Sequence, residues 1–225
     1  MKFDIITLFP SMFDGFVNES IIKRAINNKL VEINVHNLRD YSPYKNGQVD
    51  DYQFGGGPGM VLMCEPVFNA VESLRKDNTK VIMLTPSGEV FTQKIAKSLS
   101  NLEHIILLCG HYEGFDERIK TIVDMEISIG DYVLTGGEIP SMVICDSITR
   151  LIPGVINIDS LNTESFNDGL LDYPVYTRPE VFRNMSVPQV LLSGHHANID
   201  KYRSEERIRV TKEKRSDLLE GDIDE

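Results

Sequence analysis

The chain has 225 residues, 41% hydrophobic and 25% charged, proportions that exclude a collagen-like, coiled-coil or disordered polypeptide and leave room for one large domain or two small ones. Its formal net charge of −11 argues against a uniformly basic nucleic-acid binder, because phosphates are neutralised by Lys and Arg. The three cysteines, Cys64, Cys109 and Cys145, are far apart and not in a CxxC spacing, so they read as small buried hydrophobes rather than as a disulfide framework or a zinc site.

Up to Leu151 short apolar runs alternate with amphipathic stretches. FDIITLF predicts a strand, with Asp4 where a signal peptide would continue its apolar segment. NESIIKRAINN follows as a helix, VEINVHNL as a strand, EPVFNAVESLRK as a helix, KVIMLT as a strand and KIAKSLS as a helix. Then come HIILLCG, the amphipathic DERIKTIV, MEISIG and the helical EIPSMVICDSITRLI. Such alternation specifies an α/β fold. The nearly continuous VIMLT and IILLC read as parallel strands covered on both faces. No apolar run approaches the roughly 18–20 residues that cross a bilayer, and a cytoplasmic protein without membrane partners is expected.

Ligands of α/β proteins bind beyond the C-terminal ends of the strands. Those ends carry TPSGE and CGHYEG, with Pro86, Gly88, Gly110 and Gly114 allowing tight turns and close backbone approach. GDYVLTGGE follows the next strand, and Gly136 and Gly137 either line a cleft or merely turn the chain into the helix opened by Glu138. DDYQFGGGPGMV concentrates glycines but matches neither GxGxxG after a strand nor GxxxxGK[ST]. Backbone amides from such loops suit a flat ligand such as an adenine with its ribose.

Beyond Ile152 the segment PGVINIDSLNTESFNDGLLDYPVYTRPE is rich in Asn, Asp, Ser, Gly and Pro and reads as a linker. Glu164, Asp168 and Asp172 recur in it every four residues, as a solvated face or as carboxylates available to a general base. From Pro179 to Glu220 a small helical unit is expected, with His195 and His196 at a helix start rather than in a metal site. The charge is uneven: residues 1–173 hold 14 basic and 24 acidic side chains, and residues 174–219 hold 9 basic and 6 acidic, seven of the basic ones between Lys201 and Arg215. That run fits a solvated helix face and a phosphate-binding surface alike.

Taken in order, FDIITLFP, VDDYQFGGGPGMV, CGHYEGFDER, SIGDYVLTGGE, RLIPGV, GLLDYPVYTRPEV and VLLSGHHANI resemble the bacterial tRNA (guanine-N1)-methyltransferase (TrmD) family of the SPOUT class. The resemblance implies an α/β parallel-sheet domain with a deep trefoil knot over residues 1–155, a flexible linker over 156–178 and a helical tRNA-binding domain over 179–225. It also implies a homodimer with shared active sites, S-adenosylmethionine as methyl donor, and N1 of guanosine 37 of tRNA as acceptor. Magnesium assists family members, but no ligand cluster locates it in this sequence.

Carried onto this chain, the family's cofactor-binding segments fall on Leu84, Pro86 and Gly88, on Gly110, Tyr112, Glu113 and Gly114, and on Ile129, Gly130, Asp131, Tyr132, Val133, Leu134, Gly136 and Gly137. Pro58 and Gly59 match positions that approach the target guanine. Arg150 occupies the family's arginine position, at the end of a helix where a cation is also favoured on electrostatic grounds alone. The family's usual base is an Asp before Ser-Phe; here Glu164 precedes Ser165 and Phe166, and Asp172 holds the second acidic position. The tRNA contacts are expected from Arg178, Arg183, Lys201, Arg203, Arg207 and Arg209. Competing readings are a related knotted methyltransferase with another RNA acceptor, a non-catalytic RNA-binding module, and a nucleotide-binding α/β protein that prefers ATP.

Overall fold

Five parallel strands form the centre of the first of two units, Met1–Ile156, in the computed structural model, which describes residues 1–157 and 164–220. In chain order, β1 (Lys2–Thr7) leads through a 3-10 turn to the short α1 (Asp14–Asn18) and α2 (Ser20–Asn27), then to β2 (Glu32–Asn37). A hairpin, β3 (Asp50–Asp51) and β4 (Val61–Leu62), carries the glycine-rich loop between its strands. α3 (Cys64–Leu74), β5 (Thr79–Val90), α4 (Gln93–Leu99), β6 (His104–Leu108), β7 (Met125–Ser128) and α5 (Glu138–Thr149) complete the unit. The sheet order is β2-β1-β6-β5-β7, every neighbour parallel.

The period-two geometry of strands divides their side chains between two cores. Phe3, Ile5, Ile82, Leu84, Ile105 and Leu107 pack on one side with Ile144, Cys145 and Ile148 of α5. Ile6, Val81, Met83, Ile106 and Leu108 pack on the other with Val67, Ala70 and Val71 of α3. Covering both faces is why these strands read as unbroken apolar runs. Each buried Val, Leu, Ile, Phe or Met among them contributes about 1.5–3 kcal/mol by leaving water.

Asp4 breaks the apolar pattern of β1. It is fully buried, and its carboxylate accepts hydrogen bonds from Lys2 Nζ at 2.7 Å, Asn34 Nδ2 at 3.0 Å, His36 Nε2 at 2.9 Å and His104 Nε2 at 2.7 Å. Register explains the convergence, since the even-numbered residues of β1, β2 and β6 share one face. Burial pushes against ionisation, but His36, Lys2, Asn34 and His104 together hold the carboxyl well below the usual range.

Two elements differ from the sequence reading. β5 does not end at Thr85: residues 85–88 leave the ladder and the strand resumes, so that Leu84 and Glu89 both face Ile127 of β7. DERIKTIV forms a 3-10 turn, Glu117–Ile122, whose N-terminus is capped by the Asp116 carboxylate accepting from the Arg118 amide. Cys109 and Cys145 are buried as expected, and Cys64 is half-buried.

The second unit spans Asn157–Glu225. Residues 158–163 of the expected linker lie outside the described residues, as do 221–225. Before the expected helices comes a two-stranded hairpin, β8 (Val181–Phe182) and β9 (Met185–Ser186). Its turn residues Arg183 and Asn184 have φ of 48° and 65°, as a two-residue turn of mirror-image type requires at both positions. Strands of two residues leave no periodicity to read, which is why the sequence suggested helices alone. α6 (Gln189–Leu192), α7 (His196–Lys214) and α8 (Asp217–Glu220) follow, with the His195 ring accepting from the Asn198 amide at the start of α7. The segment before the hairpin is fastened to α7: Arg207 donates to both Asp168 oxygens and to the Leu171 carbonyl, and the buried Thr211 hydroxyl accepts from the Leu171 amide.

Candidate functional site

Loops at the ends of β6 and β7, together with the excursion inside β5, surround a cleft of about 440 Å³, a size typical of small-molecule sites. Leu84 and Pro86 line it from β5; Gly110, Tyr112, Glu113 and Gly114 from the loop after β6; Ile129, Gly130, Tyr132, Val133, Leu134, Gly136 and Gly137 from the loop after β7. Gly88 and Asp131 do not line it. Gly88 instead lets the excursion close onto β7, because a Cβ there would stand 2.4 Å from the Ile127 amide nitrogen. Asp131 is exposed.

The loop after β7 is anchored to the loop after β6. The Gly137 amide donates to the Gly110 carbonyl at 2.8 Å, and a Cβ on Gly137 would lie 2.6 Å from Cys109 Cα. Only glycine allows that approach. Glu138, 3% exposed, opens α5 and accepts from the Thr7 hydroxyl at 2.7 Å; a carboxylate at a helix N-terminus complements the helix dipole. Beneath the cleft, burial pushes the Cys109 thiol up, so it stays neutral, and its Sγ lies 3.0 Å from the Ser141 hydroxyl.

Tyr112 has φ of 59°, a strained value for a bulky residue and one that clusters at functional loops. It is held by ring packing, with His111 4.8 Å from Tyr112 and 4.9 Å from Phe9 between centroids. The glycine-rich loop is joined to the same place: Glu113 N–H donates to the Met60 carbonyl and Leu62 N–H to the Gly114 carbonyl, both at 2.9 Å. Gly59, with φ of 80°, comes so near that a Cβ would stand 2.5 Å from the Glu113 side chain. Pro58 and Gly59 are thus beside the cleft.

Arg150 forms the C-terminal cap of α5. In the second unit, Asp172 accepts from the Tyr173 amide while its own amide donates to the Ser165 hydroxyl, and the Glu164 carbonyl accepts from the Asn167 amide. Arg207, Arg209 and Lys201 are engaged with carboxylates: Arg207 with Asp168, Arg209 with Glu206 and Glu213, and Lys201 with Glu205 at 3.8 Å. Arg183 lies over the Phe182 ring at 5.2 Å and Arg203 over the Tyr173 ring at 4.9 Å. Arg178 is exposed.

Sequence reasoning missed Thr85, Ser87, His111 and Lys120, which also line the cleft. Thr85, Ser87 and His111 stand inside segments already singled out; Lys120 reaches the cleft from the 3-10 turn, and no local pattern marks it. Among the described residues, no group of three or more His, Cys, Asp or Glu side chains is placed to hold a metal ion. No described helix is long and apolar enough to cross a membrane.

Residues 1–221 match the family described as tRNA (Guanine-1)-methyltransferase TrmD. The chain is 58% identical over 223 residues to a tRNA (guanine-N(1)-)-methyltransferase of Staphylococcus haemolyticus, covering 98% of this chain and 91% of that protein. Proteins of the same name from Ruminiclostridium cellulolyticum and Dictyoglomus turgidum are 56% and 55% identical, covering 97% and 98% of this chain and 96% and 90% of theirs.

Proposed function

The chain belongs to the tRNA (guanine-N1)-methyltransferase family, and from that membership we propose that it transfers a methyl group from S-adenosylmethionine to N1 of guanosine 37 of tRNA. The observation that carries this reading is the glycine-walled cleft beyond the sheet. Its walls combine backbone amides and carbonyls with Leu84, Ile129 and Leu134, and Gly137 lies where a side chain would collide with the strand-end backbone. That combination fits a flat purine, a ribose and an aliphatic tail. When bound, the sulfonium supplies an electrophilic methyl group.

Guanine N1 carries a proton at neutral pH, which must leave before the lone pair is available. Glu164 is the general base in this reading, one methylene longer than the Asp usual in the family, and Asp172 supports orientation. As the proton leaves, negative charge builds on O6. The Arg150 guanidinium stabilises it, as donors do in an oxyanion hole. Pro58 and Gly59 hold the guanine, and alignment of the acceptor nitrogen with the methyl supplies the rest of the rate.

The same reading carries the trefoil knot, the homodimer with shared sites, cytoplasmic residence with tRNA, and the division into a cofactor domain at 1–155, a linker at 156–178 and a tRNA-binding domain at 179–225. Support for the knotted arrangement comes from the residues after β7 lying against the end of β6, where Gly137 bonds to Gly110. Assistance by magnesium belongs to the same reading, and among the described residues no cluster of His, Cys, Asp or Glu marks a place for it.

The test is methyl transfer from labelled S-adenosylmethionine to two unmodified transcripts that differ only in guanosine or adenosine at position 37. Label on the first alone, mapped to N1, is the expected result. Label on both, or at another atom, assigns a different acceptor.

A further inference from the structure

The C-terminal unit holds a second cavity, of about 470 Å³, that no step above uses. Leu191, Leu192 and Ile199 give it an apolar wall, while Tyr173, Arg178 and Arg203 add a ring and two cations. Glu180 also lines it, a carboxylate that repels a bare phosphate but accepts from the amino and imino groups of a base.

Arg203 sets this cavity apart from the rest of α7. Arg207 and Arg209 on the same helix are closed by carboxylates at 2.5–2.9 Å. Among the described residues, the one ion-pair partner of Arg203 is Asp200, at 3.9 Å, beyond hydrogen-bonding range. Its guanidinium carbon lies 4.9 Å from the Tyr173 ring centroid. Its Nε is buried and lacks a hydrogen-bond partner among the described residues. A buried donor left this way is costly, and most such groups in folded proteins are satisfied by some partner.

Aromatic and guanidinium planes beside apolar surface, with a few polar groups for base edges, are what hold unstacked bases of single-stranded RNA. We propose that this cavity receives a second nucleobase of the tRNA substrate, distinct from the methylated guanine, against Arg203 and Tyr173, with Arg178 taking the adjoining phosphate. The proposal rests on the tRNA reading above. Two cations and a carboxylate beside an apolar wall match a base and its phosphate, which carry polar edges and negative charge, better than an apolar segment of a second copy.

The test uses the full chain and a tRNA transcript. Arg203→Gln removes the cation and the stacking plane. Leu192→Trp fills the cavity from a position 42% exposed, so either variant carries the test if the other fails to fold. Both are expected to raise KM for tRNA at least tenfold, with cofactor affinity by calorimetry and oligomeric state unchanged. With 2-aminopurine placed singly through the anticodon loop, one position other than 37 should change fluorescence on binding to the wild type and not to Leu192→Trp. If the wild type methylates guanosine 37 and both variants keep KM within twofold, the pocket assignment is overturned and the tRNA reading stands. If the wild type neither binds nor methylates tRNA, the reading itself fails and the pocket assignment with it. A change of oligomeric state accompanying the loss would seat a second copy in the cavity and also overturn it.

Discussion

In the Met1–Ile156 unit the groups around the cleft are largely backbone, fixed by glycines that touch neighbouring strands and by hydrogen bonds such as Gly137 to Gly110. In the C-terminal unit the groups are long charged side chains on α7, among which Arg207 and Arg209 are held by one or two carboxylates each. The first arrangement is insensitive to ionic strength and intolerant of added volume. The second is the reverse: exposed pairs are screened by salt and readily exchanged for other anions. Under the proposed function, a site for a small cofactor and a surface for a polyanion call for those opposite properties.

The largest effect expected divides chemistry from cofactor binding. Glu164→Gln should lower single-turnover methyl transfer by about 10²–10⁴-fold, while calorimetry shows unchanged affinity for S-adenosylmethionine. A larger loss in Asp172→Asn than in Glu164→Gln would make Asp172 the base.

Next in size is Asp4→Asn, which leaves the buried network around β1 without its charge and should cost about 3 kcal/mol in urea unfolding. The sign of its pH dependence follows from the folded carboxyl titrating below its unfolded value of about 3.9. The stabilisation is complete above that value and is lost as pH falls below it towards the folded value. The gap in stability between wild type and Asp4→Asn should therefore narrow on acidification below about pH 4. A gap independent of pH would show that Asp4 acts by shape alone.

Gly137→Ala should destabilise the protein by about 1–3 kcal/mol through overpacking, and it should also weaken cofactor binding measured by calorimetry. An equal affinity in the variant would show that the loop after β7 can shift without cost. Smallest is Arg207→Gln, expected to cost about 1 kcal/mol for a half-exposed partner and to leave the salt dependence of tRNA binding unchanged. A shallower salt slope would return Arg207 to the RNA-contacting group.

The sheet strands were legible because both faces are covered and the apolar runs are continuous; Ile105 to Leu108 serve two cores at once. The cleft loops were legible from glycine placed after those runs. The Asp4 network was not, since its members lie at positions 2, 4, 34, 36 and 104 and only register across three strands brings them together. The Arg183–Asn184 hairpin was hidden for the opposite reason, its strands being shorter than any period. Arg207 and Arg209 entered the expected RNA-contacting group on charge alone, and composition counts charges without showing that both are paired with carboxylates. The assignment of catalytic roles to Glu164 and Arg150 came from family likeness, not from spacing.

The excursion at 85–88 fixes a reading frame in space. Leu84 and Glu89 share Ile127 as partner, and Phe91 donates to the Ser128 carbonyl and packs on the core. Adding or removing one residue between Leu84 and Glu89 would shift everything downstream by one position against β7, taking Phe91 from its place against the core. Apart from Gly88, where a Cβ would strike the β7 backbone, the segment can therefore change its letters more freely than its length, and insertions of a single residue there should be poorly tolerated.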